Sequence, residues 1–170
     1  MAESTTTSSA LETGSFRLEP GSSKIEFSVP HFYGLMKVKG NFDGYAATLD
    51  LDAGPAVTLT VDAASINTGN RKRDKHLRSR DFFNVSEHPT LSFTSTSAEL
   101  RGDSLFVRGT LEAVGHSLAI ELPLRIVPDG NGHAVEASLE IDQRLLGLTW
   151  SPAGITRTPT TISLRGRLLH

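Results

Sequence analysis

The sequence predicts an all-β domain, an antiparallel barrel of about eight strands with one short helix near residues 71–79. Apolar and polar residues alternate along most of the chain, and Gly, Asp, Asn and Pro residues that favour turns separate the alternating segments. The alternation stops only between Ser65 and Pro89, where the composition favours a helix.

In the first half of the chain, apolar and polar residues alternate with a period of two. In KIEFSV, the apolar residues Ile25, Phe27 and Val29 alternate with polar ones, and a period of two places them on one face of a strand. The pattern returns at Met36, Val38 and Phe42, at Tyr45, Ala47, Leu49 and Leu51, at Val57, Leu59 and Val61, and at Leu91 and Phe93.

The second half continues the alternation from Leu105 to Leu111, Leu118 to Ile126, Val135 to Ile141 and Ile162 to Leu168. Turn signals lie between these segments, among them Asp43-Gly44 and the run PDGNG at 128–132. One apolar face per strand is typical of antiparallel sheets, which then form a sandwich or close into a barrel. The length of several strands favours the barrel. The interior of an eight-stranded barrel can be filled by side chains or can hold one small ligand.

The break in the pattern contains the basic run RKRDKHLRSR, residues 71–80. Good helix formers and an Asp74 to Arg78 pair at spacing four predict a helix that covers one end or flank of the barrel. Leu77, Phe82 and Phe83 are expected to pack inward, with the cations at the surface. The run could also be read as a nucleic-acid arm, but a formal net charge of −2 over 170 residues argues against it.

Composition sets further bounds. The chain has no cysteine, which excludes thiolate metal sites, thiol nucleophiles and disulfides. Residues 1–14 are small and polar and are expected to form a disordered tail before a single domain at 15–170. The sequence has no apolar run of the ~20 residues that a membrane span requires. We therefore expect no stable membrane insertion and, by default, a cytoplasmic location.

A series of motifs in this chain resembles the YceI-like, or polyisoprenoid-binding, family. The most specific part runs from Ser65 to Phe93, as Ser-Ile-Asn-Thr-Gly, Arg-Asp-x-His-Leu-x-Ser, Asp-Phe-Phe and His-Pro-Thr-x-x-Phe. The resemblance covers about residues 15–169. It implies a lipocalin-like, extended antiparallel barrel whose apolar lumen holds a long isoprenoid or other lipid tail, and it suggests a homodimer. The chain departs from the family pattern at DQRLLGLTW, where Gln143 stands at the usual Arg position.

The residues of the predicted site are those whose side chains share the inward parity of their strands and those that lie on or beside the family's motifs. An apolar tunnel is expected to be lined by strand residues, with the helix segment above it and two histidines as candidate head-group contacts. The predicted ligand-binding residues are Phe27, Val29, His31, Val38, Phe42, Val61, His76, Leu77, Phe82, Phe83 and Phe93. His31 could equally be a satisfied histidine at a strand end, and His76 could merely bond a backbone carbonyl.

Three functions compete at this point. The first is a barrel that sequesters or carries a polyisoprenoid, a quinone precursor or a fatty-acyl derivative. The second is an enzyme acting on such a lipid, with His31 or His76 as acid or base, and the third is a ligand-free barrel with a role in interaction or stress. The six histidines lack paired metal-ligand spacing, and nucleophile elbows and phosphate or dinucleotide loops are absent from the sequence. We therefore predict a binding protein without cofactor, metal or catalytic residues.

Overall fold

The computed structural model describes residues 13–31, 34–53, 56–149 and 158–170. The predicted disordered tail falls almost wholly on residues 1–12, which lie outside the described residues. The strands are β1 (Ser15–Leu18), β2 (Lys24–His31), β3 (Met36–Phe42), β4 (Tyr45–Asp50), β5 (Ala56–Asp62), β6 (Ile66–Asn67), β7 (Thr90–Arg101), β8 (Ser104–Ala113), β9 (His116–Asp129), β10 (Gly132–Ile141) and β11 (Thr160–Leu169). Helix α1 is Arg71–Leu77, and short 3-10 turns occupy Pro20–Ser22, Ala63–Ser65 and Gln143–Leu146.

Within the described residues these segments form a closed barrel of eight long antiparallel strands. Three of the eight are interrupted: β2 continues β1, β4 continues β3, and β6 continues β5, as the pairing of each segment with its neighbours shows. The strands β7 to β11 follow as a meander. The ring closes because β11 pairs with β10 on one side and with both β1 and β2 on the other. The predicted eight-stranded barrel is confirmed.

One predicted turn has a different form. The Asp43-Gly44 pair does not reverse the chain; it bends one long strand between β3 and β4, which run in the same direction along β2 and β1. The Asn41 side chain donates to the Asp43 carboxylate, and the Asp62 backbone N–H donates to the Gly44 carbonyl at 2.8 Å. The bend is therefore held inside the wall by its neighbours on both sides.

The two ends of the barrel differ. At one end, which we call the packed end, lie the β7–β8 and β9–β10 turns, and a cluster of buried side chains from eight strand segments, including Phe16, Leu105, Val107 and Ile126, fills the interior. The other end carries the β2–β3 connection, the β8–β9 turn and α1, and we call it the helix end. In the part of the chain that the structure describes, no helix has the length and apolar character needed to cross a membrane.

Helix α1 begins at a side-chain cap, because the Asn70 amide oxygen accepts from the Arg73 backbone N–H at 3.0 Å. The predicted pairing of Asp74 with Arg78 is wrong. The buried Asp74 carboxylate accepts from the backbone N–H and the hydroxyl of Thr68. The Arg78 guanidinium donates instead to the carbonyls of Ala64 (2.8 Å) and Ile66 (3.0 Å). Both side chains fasten the helix to the chain that precedes it rather than to each other.

Candidate functional site

An apolar cavity of about 180 Å³ lies at the helix end, between the barrel wall and the α1 segment. Its wall comes from β2, β3, β5, β6, β7, β8, β10 and β11, and its cover comes from α1, the segment after it and the turn at 143–146. Gln143 and Thr160 are the two polar residues among the described lining; all the others are apolar. The cavity thus continues the barrel interior that the packed end fills with side chains.

The cover is built from Leu77, Phe82 and Phe83. After α1, backbone hydrogen bonds close consecutive tight turns, with the Phe83 N–H donating to the Leu77 carbonyl at 3.0 Å and the Phe82 N–H to the Ser79 carbonyl at 3.1 Å. These turns aim both phenylalanines at the cavity. The Phe83 ring meets the Phe42 ring of β3 edge-on, with their centroids 6.0 Å apart.

The cover is fastened to the wall through polar contacts outside the cavity. Arg73 donates to the hydroxyl of Thr68 at 2.8 Å and to its carbonyl at 2.9 Å, while Asp74 accepts from the same residue. Arg78 donates hydrogen bonds to the carbonyls of Ala64 and Ile66, where β5 passes into β6. Hydrogen bonds that involve a charged partner are the stronger kind, so these three side chains position a cover whose inner face is apolar.

The polar residues of the cavity satisfy each other. The Thr160 hydroxyl donates to the Gln143 side-chain oxygen at 2.9 Å. Beside them, outside the lining, Arg144 makes a two-point contact with Asp142 at 2.9 and 2.7 Å, and this hydrogen bonding lowers the pKa of the Asp142 carboxyl. No Asp, Glu, His, Lys or Arg belongs to the described lining. The site is suited to taking apolar matter out of water, with one amide and one hydroxyl as possible polar contacts.

Seven of the predicted site residues lie in the cavity lining. They are Phe27, Val29, Phe42, Val61, Leu77, Phe82 and Phe83. Whether they contact a ligand stays a prediction. Their common position confirms only that the strands and the helix segment face one interior space.

The other four lie elsewhere. Val38 is half-buried opposite Val29, and His31 lies opposite Met36 at the end of β2; neither belongs to the lining. His76 does not belong to the lining either; its Nε2 lies 2.7 Å from the Asp81 carboxylate and its ring is edge-on to Phe82. Phe93 is buried in the packed cluster, between Leu59 and Leu111 on the neighbouring strands.

Several lining residues were missed by the sequence prediction. Ile25, Leu59, Leu91, Leu111, Ile141 and Ile162 carry the inward parity of their strands, so the alternation was a sufficient signal for their face. Leu146 and Leu148 follow β10 in an irregular segment without a period. Gln143 was singled out only for its departure from the family pattern. In the residues that the structure describes, no group of three or more His, Asp or Glu side chains could hold a metal ion.

A family model described as the YceI-like domain matches residues 16–168. A UPF0312 protein of Pectobacterium atrosepticum is 33% identical over 111 residues, which cover 63% of this chain and 57% of the relative. Protein YceI of Escherichia coli O157:H7 is 32% identical over 111 residues, with 63% and 58% covered. The matched segment thus spans less than two thirds of these curated relatives.

Solved structures show the same fold. BcnA of Burkholderia cenocepacia has a TM-score of 0.81 at 17% identity, covering 90% of this chain and 99% of that one. A polyisoprenoid binding domain from Saccharophagus degradans, implicated in plant cell wall breakdown, has a TM-score of 0.74 at 16% identity, covering 93% and 99%. With the family model matching nearly the whole described barrel, this chain belongs to the YceI-like family.

Proposed function

We propose that this protein binds the apolar tail of a polyisoprenoid or another lipid in the cavity at the helix end, without chemistry of its own. The observation that carries the proposal is the apolar cavity of about 180 Å³ under a fastened helical cover. Empty cavities of this kind in proteins are lined by apolar side chains and take up apolar molecules. The binding described for the Saccharophagus degradans domain supports the same class of ligand.

The volume of the cavity limits the size of the ligand that can bind without a change in the protein structure. An apolar cavity of roughly 150 Å³ accommodates benzene, so about six carbons fit in this one as it stands. A longer tail requires the half-buried rings of Phe82 and Phe83 to move outward. We therefore propose that the cover, rather than the strands, adjusts to the length of the ligand.

The residues that line the cavity favour a carrier role over catalysis, because none of those described is titratable. General acid–base catalysis needs a titratable group within hydrogen-bond reach of the reacting atoms. The described lining offers only the Gln143 amide and the Thr160 hydroxyl, which are bonded to each other. These two groups can orient a head group, and the described lining holds no base to activate them.

Mass spectrometry of an organic extract from the purified protein tests the proposal. We expect an isoprenoid or acyl lipid in the extract, and displacement of the fluorescent apolar probe phenylnaphthylamine by that lipid. A protein that yields no lipid and does not bind the probe would contradict the proposal. The chain length and the head group are read from the same spectra.

A homodimer and a cytoplasmic location are parts of the same proposal. Light scattering of the purified protein is expected to give twice the mass of one chain, and a mass of one chain would remove the dimer. Fractionation of the host is expected to place the protein in the cytosol, free of any membrane fraction that resists salt.

A further inference from the structure

We propose that the helix end of the barrel docks on an anionic lipid membrane, with the β2–β3 tip, formed by Leu35 and Met36, entering the interface and the exposed cations of α1 contacting the head groups. This inference goes beyond the proposed function, because it concerns where the protein lies when it meets a lipid. Binding in the cavity could hold while docking fails, and the two are measured separately.

The pairing registers bring the relevant segments to one end. His31 pairs with Met36, so the β2–β3 connection lies at the end of both strands. Ser28 pairs with Thr161, and Thr160 with Ile141, which places the start of β11 and the end of β10 at the same end. The turn at Gln143–Leu146, which follows β10, therefore shares this end with the β2–β3 tip and the cavity.

Exposed apolar side chains concentrate at the helix end. Among the described residues, the exposed large apolar side chains are Leu35 (87%), Met36 (59%), Leu145 (57%) and Leu100 (46%). The first three lie at the helix end, and Leu100 lies at the packed end beside the β7–β8 turn. Leu35 and Met36 are adjacent in the chain at the tip, so the tip exposes two large apolar side chains to solvent.

The basic run supplies charge at the same end. Arg73 and Arg78 fasten the cover, but Arg71, Lys72, Lys75 and Arg80 are exposed and form no ion pair within the described residues. Lys37 and Lys39, on the outer face of β3, are also exposed and likewise lie outside those ion pairs.

Three carboxylates near α1 and the turn at 143–146 are already engaged, whereas Glu26 lies exposed beside Lys39. Asp74 is buried against Thr68, Asp81 is bonded to His76, and Asp142 to Arg144. The chain as a whole has a net charge of −2, so a net attraction to anionic lipid needs such a local patch.

A membrane fits both features together. Apolar side chains gain by entering the boundary between head groups and acyl chains, and Lys and Arg gain near anionic head groups. An acidic protein would use the cations but would give Leu35 and Met36 no comparable partner. Docking at this end would also bring the cavity cover next to the source of a lipid ligand.

Sedimentation with vesicles tests the proposal on the full chain. The vesicles are phosphatidylcholine alone and phosphatidylcholine mixed with phosphatidylglycerol. We expect binding to the mixed vesicles only, weakened by salt. The double variant Lys72→Gln/Lys75→Gln should bind on the order of 25-fold more weakly, since each cation near the surface is worth roughly fivefold. The variant Leu35→Ser/Met36→Ser should lose roughly tenfold or more.

Matched controls lie at the packed end. Arg101→Gln/Arg125→Gln makes the same change in net charge, and Leu100→Ser removes an exposed leucine; both should bind like the parent. Circular dichroism checks that every variant is folded. Equal losses in the controls, equal binding to both vesicle types, or no effect of the tip variant would overturn the proposal. Absence of binding to either vesicle would also overturn it and leave an acidic protein as the partner of the cations.

Discussion

Replacing Val61 with Trp should fill the cavity, abolish ligand binding and leave the barrel folded. Val61 is 4% exposed, lines the cavity and lies opposite Tyr45 on β4 and Leu91 on β7. Its side chain therefore points into the space that a ligand would take. The indole ring of Trp at this position would extend from the barrel wall into that space. It would leave in place the hydrogen bonds of Arg73, Asp74 and Arg78 that hold the cover.

The size of the effect follows from the cavity. About six carbons fit into 180 Å³, and at ~0.8 kcal/mol for each buried methylene their burial is worth about 5 kcal/mol. Losing that burial weakens binding by roughly three to four orders of magnitude. In a hollow site the added ring occupies empty volume, so we expect the free energy of unfolding to change by less than about 1 kcal/mol.

Val107→Trp is the matched control. Val107 is also an inward-facing valine, but it is 0% exposed, belongs to the packed cluster and does not line the cavity. Overpacking there should cost about 1–3 kcal/mol of stability or more. Urea unfolding measures the stability of both variants, and phenylnaphthylamine titration with lipid extraction measures binding.

The comparison can fail in a clear way. If Val61→Trp destabilises the protein as much as Val107→Trp, and the parent yields no lipid, then the barrel is solid at both ends. The reasoning from cavity to ligand would then be wrong. A stable Val61→Trp variant that binds the probe like the parent would show instead that the ligand lies outside this cavity.

Two further substitutions test how the structure is held. Asp74→Ala should destabilise the protein by about 2–3 kcal/mol and speed hydrogen exchange in the cover, because the buried carboxylate accepts two hydrogen bonds from Thr68. Gly109→Ala should cost about 1–3 kcal/mol in urea unfolding, since its Cβ would lie 2.4 Å from the Thr94 carbonyl oxygen and 2.7 Å from the Phe93 ring.

Each of these has its own control. Asp81→Ala removes an exposed carboxylate from the same segment and should change stability by no more than about 0.5 kcal/mol. A Cβ at Gly21 meets nothing within 4 Å, so Gly21→Ala should be equally mild. An effect of Asp81→Ala as large as that of Asp74→Ala would refute the role of the Thr68 contacts, and a neutral Gly109→Ala would refute the close packing at Phe93.

The alternation in the sequence predicted the strands and their inward faces, and the length of several strands favoured the barrel over a sandwich. Phe27, Val29 and Val61 share the inward face of their strands, as the period of two predicts, and all three lie in the cavity lining. Parity does not give the height of a residue along the barrel axis. Phe93 shares the inward face but falls in the packed cluster, since the registers of β5, β7 and β8 place it there.

The helix shows why local spacing was insufficient for the polar contacts. Asp74 and Arg78 are four residues apart, which predicts an ion pair on an isolated helix. In the barrel, the carboxylate is buried next to the loop that enters the helix, while the β5–β6 junction presents two carbonyls to the guanidinium. Tertiary neighbours that the sequence does not reveal therefore decide both partners.

The closing seam of the ring, where β1 meets β11, has a consequence for how the chain folds. It joins Arg17 to Leu169, whereas β7 to β10 are joined through tight local hairpins. Bringing such distant positions together costs about 3 kcal/mol more chain entropy than closing a short hairpin. We therefore expect the hairpins to form first and the seam to form after they have shortened the path between its two edges. Substitutions in β8 and β9 should alter the folding rate, whereas substitutions in β1 should alter the unfolding rate, and stopped-flow kinetics would separate the two.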